Sequence, residues 1–459
     1  MRIQLIHPPV YINKRAMTAL RPSLPLGLAY IAAILREAGH RVSVLDAVAR
    51  APDRVTAAGS FHILGLTPEQ IAGEIDPEAR VIGFNNTWSF SWPLVRRIIH
   101  RVREKHPEKI LVAGGEHFTG MARASLAESP LDYLVLGEGD ETVVELLSFL
   151  EKGEPDPAAI PGLAYRDGEG QPVRTGGRPR IRDLDRLPWP AWDLFDPRAY
   201  HEHGLVIGLD AGMTMPILAT RGCPYACTYC SSPHMWTRRW YARDPLDVVD
   251  EIEHYMREYG ATNFPFQDLT AILRREWVVR FCREILRRGL EITWQFPSGT
   301  RCEVIDQEVA DLLGRSGCRS LALAPESGCE RTRRLIGKQM KEEALLRAVQ
   351  ASVKAGLNVT CFFILGFPHD RREDLKGTRR MVRRLALAGI DDVAIGFFFP
   401  LPGTMVYDEL VAEGRIKPSD EFLYTPIFAN EGRLMPRNNY CRELSAGRLT
   451  LEKYLILLN

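Results

Sequence analysis

The sequence has no long apolar run. Its longest apolar helical stretch, Leu26 to Leu35, stops at Arg36 and Glu37, about half of the roughly 20 residues a bilayer demands, so no membrane span is expected. It has no surplus of either charge, with 59 Lys and Arg against 58 Asp and Glu. Neutralising phosphates takes a cationic surplus, so no nucleic-acid partner is expected. Cysteine is sparse, an odd nine in 459 residues, which speaks against a secreted disulfide scaffold and for a reducing interior. The opening Met1-Arg2-Ile3-Gln4-Leu5-Ile6-His7-Pro8-Pro9 reads as a strand entering a loop and lacks the apolar region of a secretion signal. A cytoplasmic location is the expectation. What is present is a 45% apolar chain, long enough for two or three domains with cores of their own.

Residues 1–150 alternate short β-branched runs (Ile3–Ile6, Val42–Asp46, Val81–Phe84, Ile110–Ala113, Tyr133–Leu136) with segments of helical spacing (Leu26–Ala38, Pro93–Arg103, Glu141–Leu150). That pattern predicts an α/β domain with an open parallel sheet. Ligands of such sheets bind beyond the carboxyl ends of the strands, where Gly114-Gly115-Glu116-His117 and Gly137-Glu138-Gly139-Asp140 fall. In Gly153–Pro190, 13 of 38 residues are Gly or Pro; residues 151–212 read as a linker with at most a small hairpin, Leu163–Arg166 and Pro172–Arg174. A second βα series fills 213–410, with strands at Pro216–Thr220, Asn263–Phe266, Ile292–Phe296, Leu321–Ala324, Val359–Leu365 and Val393–Phe399. Six strands with intervening helices predict a partial or complete parallel barrel, its active site at the strands' carboxyl ends. Residues 411–459 give a weak signal and read as a small helical tail.

Only three cysteines lie close together, in Gly222-Cys223-Pro224-Tyr225-Ala226-Cys227-Thr228-Tyr229-Cys230, just after the first strand of the second series. Three thiolates on one loop are a soft ligand set for an iron–sulfur cluster or zinc. Structural zinc takes four protein ligands, commonly as two pairs. No second pair exists, because Cys282, Cys302, Cys318, Cys329, Cys361 and Cys441 are scattered singly. They read as buried thiols, with an auxiliary cluster from Cys302, Cys318 and Cys329 as the lesser alternative. A four-iron cluster on three thiolates would keep one iron open.

The spacing Cys-x3-Cys-x2-Cys, with Tyr229 before the third Cys, resembles the signature of radical S-adenosylmethionine (SAM) enzymes. The resemblance implies a [4Fe-4S] cluster on Cys223, Cys227 and Cys230, SAM chelated to the open iron, and Tyr229 against the adenine. Further matches follow the expected strands: Phe266-Gln267-Asp268, Pro325-Glu326-Ser327-Gly328, Gly366-Phe367-Pro368 and Pro400-Leu401-Pro402-Gly403-Thr404. Glu326 and Ser327 can accept from ribose hydroxyls or the SAM amino group; Glu326 can equally pair with Arg301 or Lys338. Gly366 can admit the adenine because it has no Cβ, or Gly366 and Pro368 form an ordinary turn. Asp268 stands where similar enzymes often carry paired acids, but the first of the pair is Gln267 here, which puts in doubt any role needing two carboxylates.

Residues 1–150 resemble the Rossmann-like cobalamin-binding module that precedes the radical SAM core in one large subgroup. The matching pieces are Pro25-Leu26-Gly27-Leu28, Gly114-Gly115-Glu116-His117 and Gly137-Glu138-Gly139-Asp140-Glu141-Thr142. The resemblance implies cobalamin near Trp88, Gly114, Gly115, Glu116, His117, Gly137, Glu138 and Gly139. Trp88, in Asn85-Asn86-Thr87-Trp88-Ser89-Phe90-Ser91-Trp92, can stack under the corrin, or this aromatic loop fills the pocket or packs in the core. The Asp-x-His-x-x-Gly run that supplies an axial histidine in methionine-synthase-like modules is absent; His117 is a loose alternative ligand or a hydrogen-bonded loop residue.

The implied activity is cobalamin-dependent C-methylation of a small molecule. A 5′-deoxyadenosyl radical would take hydrogen from an unactivated carbon, methylcobalamin would supply the methyl group, and an electron donor such as flavodoxin or ferredoxin would reduce the cluster. The cofactors carry the hard chemistry. The alternative keeps the SAM radical but ends in elimination, dehydration, decarboxylation or cyclisation of a sugar or natural-product intermediate without cobalamin, a lyase outcome. That needs an acid or base, for which Asp268, His234 and His117 are candidates; His234 can also serve only as a cap. A non-catalytic iron–sulfur or cobalamin sensor would leave the SAM-site matches unused. Arg372, Arg379, Arg380, Arg383 and Arg384 share one helical segment and read as a solvated face or a reductase docking face.

Overall fold

The structure is a computed structural model describing residues 1–15, 22–59, 61–429 and 432–458. The N-terminal β-branched runs form five parallel strands, in the spatial order Tyr133–Val135, Ile110–Gly114, Val81–Asn85, Arg2–His7 and Arg41–Asp46. The hairpin Leu163–Arg166 and Pro172–Arg174 continues this sheet, antiparallel to Tyr133–Val135, so the sheet takes in part of the Gly/Pro-rich stretch. One face (Ile3, Leu5, Val81, Val112, Val135) packs on helices Leu26–Glu37 and Asp140–Lys152. The other face (Ile6, Ile82, Leu111, Leu134) packs on Trp92–Lys105 and Glu116–Glu128. Burial on both faces explains why the strands read as apolar runs rather than as alternation.

The second series gives five parallel strands in chain order, Asn263–Pro265, Thr293–Thr300, Cys318–Glu326, Asn358–Leu365 and Asp392–Phe397. The expected first strand, Pro216–Thr220, is reduced to single parallel bridges at Thr214 with Asn263 and Ile217 with Phe266. Met215 and Ile217 N–H still donate to Asn263 O and Pro265 O, both at 3.0 Å, but the next backbone donor on that side, Ala219 N–H, goes to the Asp268 carboxylate at 3.2 Å, which also takes the Thr220 hydroxyl at 2.5 Å. Thr220–Arg221 pairs instead with Tyr241–Ala242, antiparallel, closing the base of the cysteine loop.

The tail is a clamp across both domains. Leu449 and Ile456 of helix Ala446–Leu457 join the barrel core, while Phe422 and Ile427, with Val406 and Leu410 just before the tail, join the N-terminal core. Tyr424 meets Tyr11 and Phe61 at ring-centroid distances of 5.5 and 4.8 Å. Those two rings lie on a small antiparallel sheet, Val10–Ile12, Phe61–Leu64 and Val55–Ala58, which the sequence pattern did not reveal. Strands of three and four residues are too short for a period of two to register. Among the described residues no helix is long and apolar enough to cross a membrane.

Candidate functional site

The cysteine loop is held from beneath by the turn after Glu330–Leu335. Thr228 N–H donates to Ile336 O at 3.0 Å, and the Cys227 thiol contacts Gly337 O at 3.8 Å. Gly337 is required there: its φ is +71°, and a Cβ would stand 2.7 Å from Ala226 O. Cys223, Cys227 and Cys230 are each partly buried and free, and each of the later two feels the charge of the thiols before it. Burial pushes all three thiols up, Cys230 to about 12, so ligation has to displace protons. Ser232 N–H already donates to Cys230 Sγ at 3.4 Å. Among the described residues no three His, Cys, Asp or Glu side chains converge on a point as the ligands of a single ion would.

Beside the loop, Tyr229 packs edge-on against Phe367 at 5.4 Å. Burial, then the Glu326 charge and hydrogen bond, holds its hydroxyl far above the usual phenol range. Glu326 sits at the carboxyl end of Cys318–Glu326 in left-handed backbone, φ +63°, a conformation that costs about 1–3 kcal/mol in a residue with a side chain. Its carboxylate pairs with Lys338 Nζ at 3.1 Å. The alternative pairing with Arg301 is not made: Arg301 pairs with Glu303 and lies over the Tyr225 ring at 4.0 Å. Ser327 is turned into the protein, where its hydroxyl accepts Cys329 N–H at 3.1 Å. At Gly366, φ is +91° and the space a Cβ would fill is held by Leu449 Cδ1, 3.0 Å away. Asp370 takes the N–H groups of Gly366 and Phe367, both at 3.0 Å, and Pro368 O accepts Arg442 N–H at 3.0 Å. The Gly366-Phe367-Pro368 turn is thus fixed from three sides.

Asp268 is buried, and burial lifts its carboxyl to about 7 despite the Thr220 and Ala219 hydrogen bonds. Its contacts fix the strand leading to Arg221 and Cys223. His234 is exposed on the short helix Ser232–Trp236.

At the carboxyl end of the N-terminal sheet, Gly115 (φ +121°) brings its backbone against Asn86, where a Cβ would stand 2.5 Å from Asn86 O. Gly114 faces Val135 O, and Gly137 (φ +68°) donates its N–H to the Thr119 hydroxyl oxygen at 2.9 Å. Gly139 precedes helix Asp140–Lys152, with Val135 Cγ1 filling the room for a Cβ. His117 is buried: Nδ1 meets Ser89 Oγ at 3.0 Å, Nε2 meets Ser125 Oγ at 3.4 Å, and the ring lies on Trp92 at 5.0 Å. Burial, with the Arg96 charge, lowers it to about 3. Glu138 is engaged by Arg180 at 2.8 Å, Arg221 at 3.0 Å and Ile181 N–H at 2.9 Å. Trp88 is 59% exposed and stacked on Phe90. His7 (both ring nitrogens), Asn86 (Nδ2) and Arg180 (Nη2) keep buried nitrogens here without partners.

These two ends face each other. Thr119 Oγ1 contacts Met235 Sδ at 3.4 Å, and the carboxyl of Glu116, raised by burial, shares a hydrogen bond with Ser231.

The model of the radical SAM superfamily matches residues 217–396, and that of the B12 binding domain matches residues 17–147. The chain belongs to the radical SAM enzymes that carry a B12-binding domain. It is 29% identical over 434 residues to an uncharacterized methyltransferase of Pyrococcus horikoshii, covering 93% of this chain and 87% of that one. It is 26% identical over 454 residues to an anaerobic magnesium-protoporphyrin IX monomethyl ester cyclase of Rubrivivax gelatinosus, covering 96% and 77%. Its fold matches that of the radical SAM methyltransferase TsrM of Kitasatospora setae, with a TM-score of 0.69, 20% identity and coverage of 91% and 77%.

The residues of this radical SAM enzyme fit its cofactors, a [4Fe-4S] cluster, SAM and cobalamin. Three thiols on one loop without a fourth suit a cluster with an open iron. The orphaned nitrogens of His7 and Asn86, at the carboxyl ends of adjacent strands, together with the exposed Trp88 on the loop after Asn86, suit a large ligand with a flat apolar face and many amide groups. His117 does not fit as an axial ligand, since both ring nitrogens have hydroxyl partners. The Lys338 pair is one of the two alternatives the sequence offered for Glu326, whereas the Arg221 and Arg180 clamps on Glu138 and the orphaned His7 lay beyond sequence reasoning, because nothing in a local pattern tells a buried arginine or histidine from a surface one. The position of Arg221 beside Gly222-Cys223 was the one available signal.

Proposed function

We propose that this enzyme methylates an unactivated carbon of a small molecule in a cobalamin-dependent radical SAM reaction. The observation that carries the reading is the seam at Ser231–Met235 and Glu116–Thr119, where the cysteine loop abuts the carboxyl end of the B12-binding sheet. When bound, the cluster and SAM supply a radical that removes a substrate hydrogen, and cobalamin supplies the methyl group. Cys223, Cys227 and Cys230 would hold the cluster, while Tyr229, packed against Phe367 and bonded to Glu326, would border the SAM adenine. Glu326, held in strained backbone and neutralised by Lys338, offers its second oxygen to SAM. Ser327, Gly366 and Pro368 shape the wall around it through their backbone. Gly114, Gly115, Glu116, Gly137, Glu138 and Gly139 would border the cobalamin site, and the exposed Trp88 would offer the corrin an apolar face. Asp268 acts here as a positioning residue for the strand before the cysteine loop, and His234 needs no proton-transfer role. The electron comes from a flavodoxin- or ferredoxin-like carrier.

The test is anaerobic purification with cobalamin supplied, then incubation with candidate substrates and methyl-deuterated SAM. Label in the product and retained cobalamin are expected. The relationship to a cyclase favours one competing outcome, an unlabelled product formed along with 5′-deoxyadenosine; that result would replace methylation by cyclisation or elimination. Cys223→Ala, Cys227→Ala or Cys230→Ala should each abolish the cluster and 5′-deoxyadenosine.

A further inference from the structure

The cluster-bearing surface is cationic in a chain that is nearly neutral. Residues 222–242, the cysteine loop and its return strand, contain no Asp or Glu and include Arg238 and Arg239. Residues 331–341, the segment that hydrogen-bonds that loop from beneath, hold Arg331, Arg333, Arg334, Lys338 and Lys341 and are bounded by Glu330, Glu342 and Glu343, of which Glu342 is paired with Arg384, so the segment with its borders keeps an excess of cations. Of these, Arg331 is paired with Asp374, Lys338 with Glu326, and Arg333 is buried. Arg334 and Lys341 are exposed and stand outside the ion pairs of the described residues. Between them Leu335 is 45% exposed, and Ala226, inside the cysteine motif, is exposed as well.

This patch also lies directly against the cysteine loop. Gly337 O is in contact with Cys227 Sγ, Ile336 O takes Thr228 N–H, and Ala226 O lies against Gly337. Leu335 is therefore two residues from a carbonyl that touches a cluster ligand. An apolar spot rimmed by unpaired cations is complementary to a partner with an apolar prosthetic-group edge rimmed by carboxylates, and such charge pairing chiefly raises the association rate.

We infer that the surface formed by Arg334, Leu335, Lys341 and Ala226 docks an acidic one-electron carrier protein. The inference rests on the radical SAM reading above. In the encounter the carrier is oxidised by one electron and the cluster reduced by one, and no atom is transferred. The other cationic face, Arg372, Lys376, Arg380 and Arg383 on helix Arg372–Leu387, is exposed too. It is covered on its inner side by Gly328 and Cys329, which meet Thr378 and Gly377, and touches no cysteine of the cluster loop.

The holoenzyme would be prepared as wild type, as R334E/K341E and as R380E/R383E, and each reduced with flavodoxin hydroquinone or with dithionite. With flavodoxin at low salt, R334E/K341E should form 5′-deoxyadenosine about tenfold more slowly than wild type. The difference should shrink in 0.5 M salt, where the Debye length falls to about 4 Å. With dithionite all three should react alike. Oxidised flavodoxin, titrated by its flavin fluorescence anisotropy, should bind R334E/K341E more weakly and R380E/R383E unchanged. Equal flavodoxin rates and affinities for wild type and R334E/K341E, or a loss confined to R380E/R383E, would overturn the docking site. Failure of wild type with dithionite would instead remove the radical SAM reading itself.

Discussion

The guanidinium of Arg221 donates from one nitrogen to both Glu138 Oε1 and Asp140 Oδ2, each at 3.0 Å, so the residue two before Cys223 is anchored in the B12-binding domain. Glu138 is also held by Arg180, and all three side chains are buried. The loop expected to border cobalamin is therefore equally a joint between domains.

Glu138→Ala would leave two buried arginines with reduced compensation, a change that typically costs about 3–5 kcal/mol. Burial pushes the Glu138 carboxyl up, but the Arg180 hydrogen bond and the Arg221 and Arg180 charges outweigh it and hold it below its ordinary 4.5. A depressed carboxyl contributes stability above its unfolded value and loses it as pH falls through the folded one. The thermal midpoint of wild type should thus drop below pH 4.5, and that part of the drop should be missing from Glu138→Gln. An unchanged acid limb in the variant would show that the clamp carries no linkage.

Asp268 has the opposite sign. Its carboxyl is lifted from 3.8 to about 7, first by burial, so between those values the folded chain holds a proton that the unfolded chain releases. Stability from this group is present below pH 3.8 and declines as pH rises to about 7, by up to about 4 kcal/mol. Asp268→Asn cannot titrate and should flatten the dependence of the thermal midpoint between pH 4 and 7. The same slope in both proteins would refute the assignment.

The barrel and the parallel sheet were legible because their strands are buried on both faces and separated by full helical periods. The cysteine loop was legible because three soft ligands at fixed spacing carry their chemistry in the local sequence. Glu138 and Ser327 were read as ligand-facing, whereas the structure spends them on Arg180 and Arg221 and on Cys329 N–H. A glycine-rich turn announces a close approach without saying what approaches: at Gly366 it is Leu449, from a helix 80 residues later in a tail that gave almost no signal. The strand before the cysteines dissolved into bridges because Asp268, distant in sequence, took the Ala219 N–H.

Gly366→Ala meets two obstacles, a left-handed φ of +91° and Leu449 Cδ1 at 3.0 Å. The backbone term alone costs about 1–3 kcal/mol, while Leu449→Ala costs about 2–5 kcal/mol through the cavity it opens. In the double variant the alanine methyl enters that cavity, so the combined loss should be smaller than the sum of the single losses. Denaturant midpoints of the four proteins measure this. Strict additivity would mean that Leu449 does not occupy the space beside Gly366.

Trp88 offers a separation of folding from binding. Being 59% exposed and touching Phe90 by stacking, it can be truncated with little loss of packing, and surface changes of that kind usually stay within about 0.5 kcal/mol. Trp88→Ala should therefore melt like wild type when cobalamin is withheld. If the indole lies on the corrin, the variant should retain less cobalamin through gel filtration and show a shifted visible spectrum, because water reaches a face the ring had covered. Trp88→Phe should recover part of both. A variant that melts lower without cobalamin and keeps an unshifted spectrum with it would place the ring in packing alone and leave the corrin face to another residue.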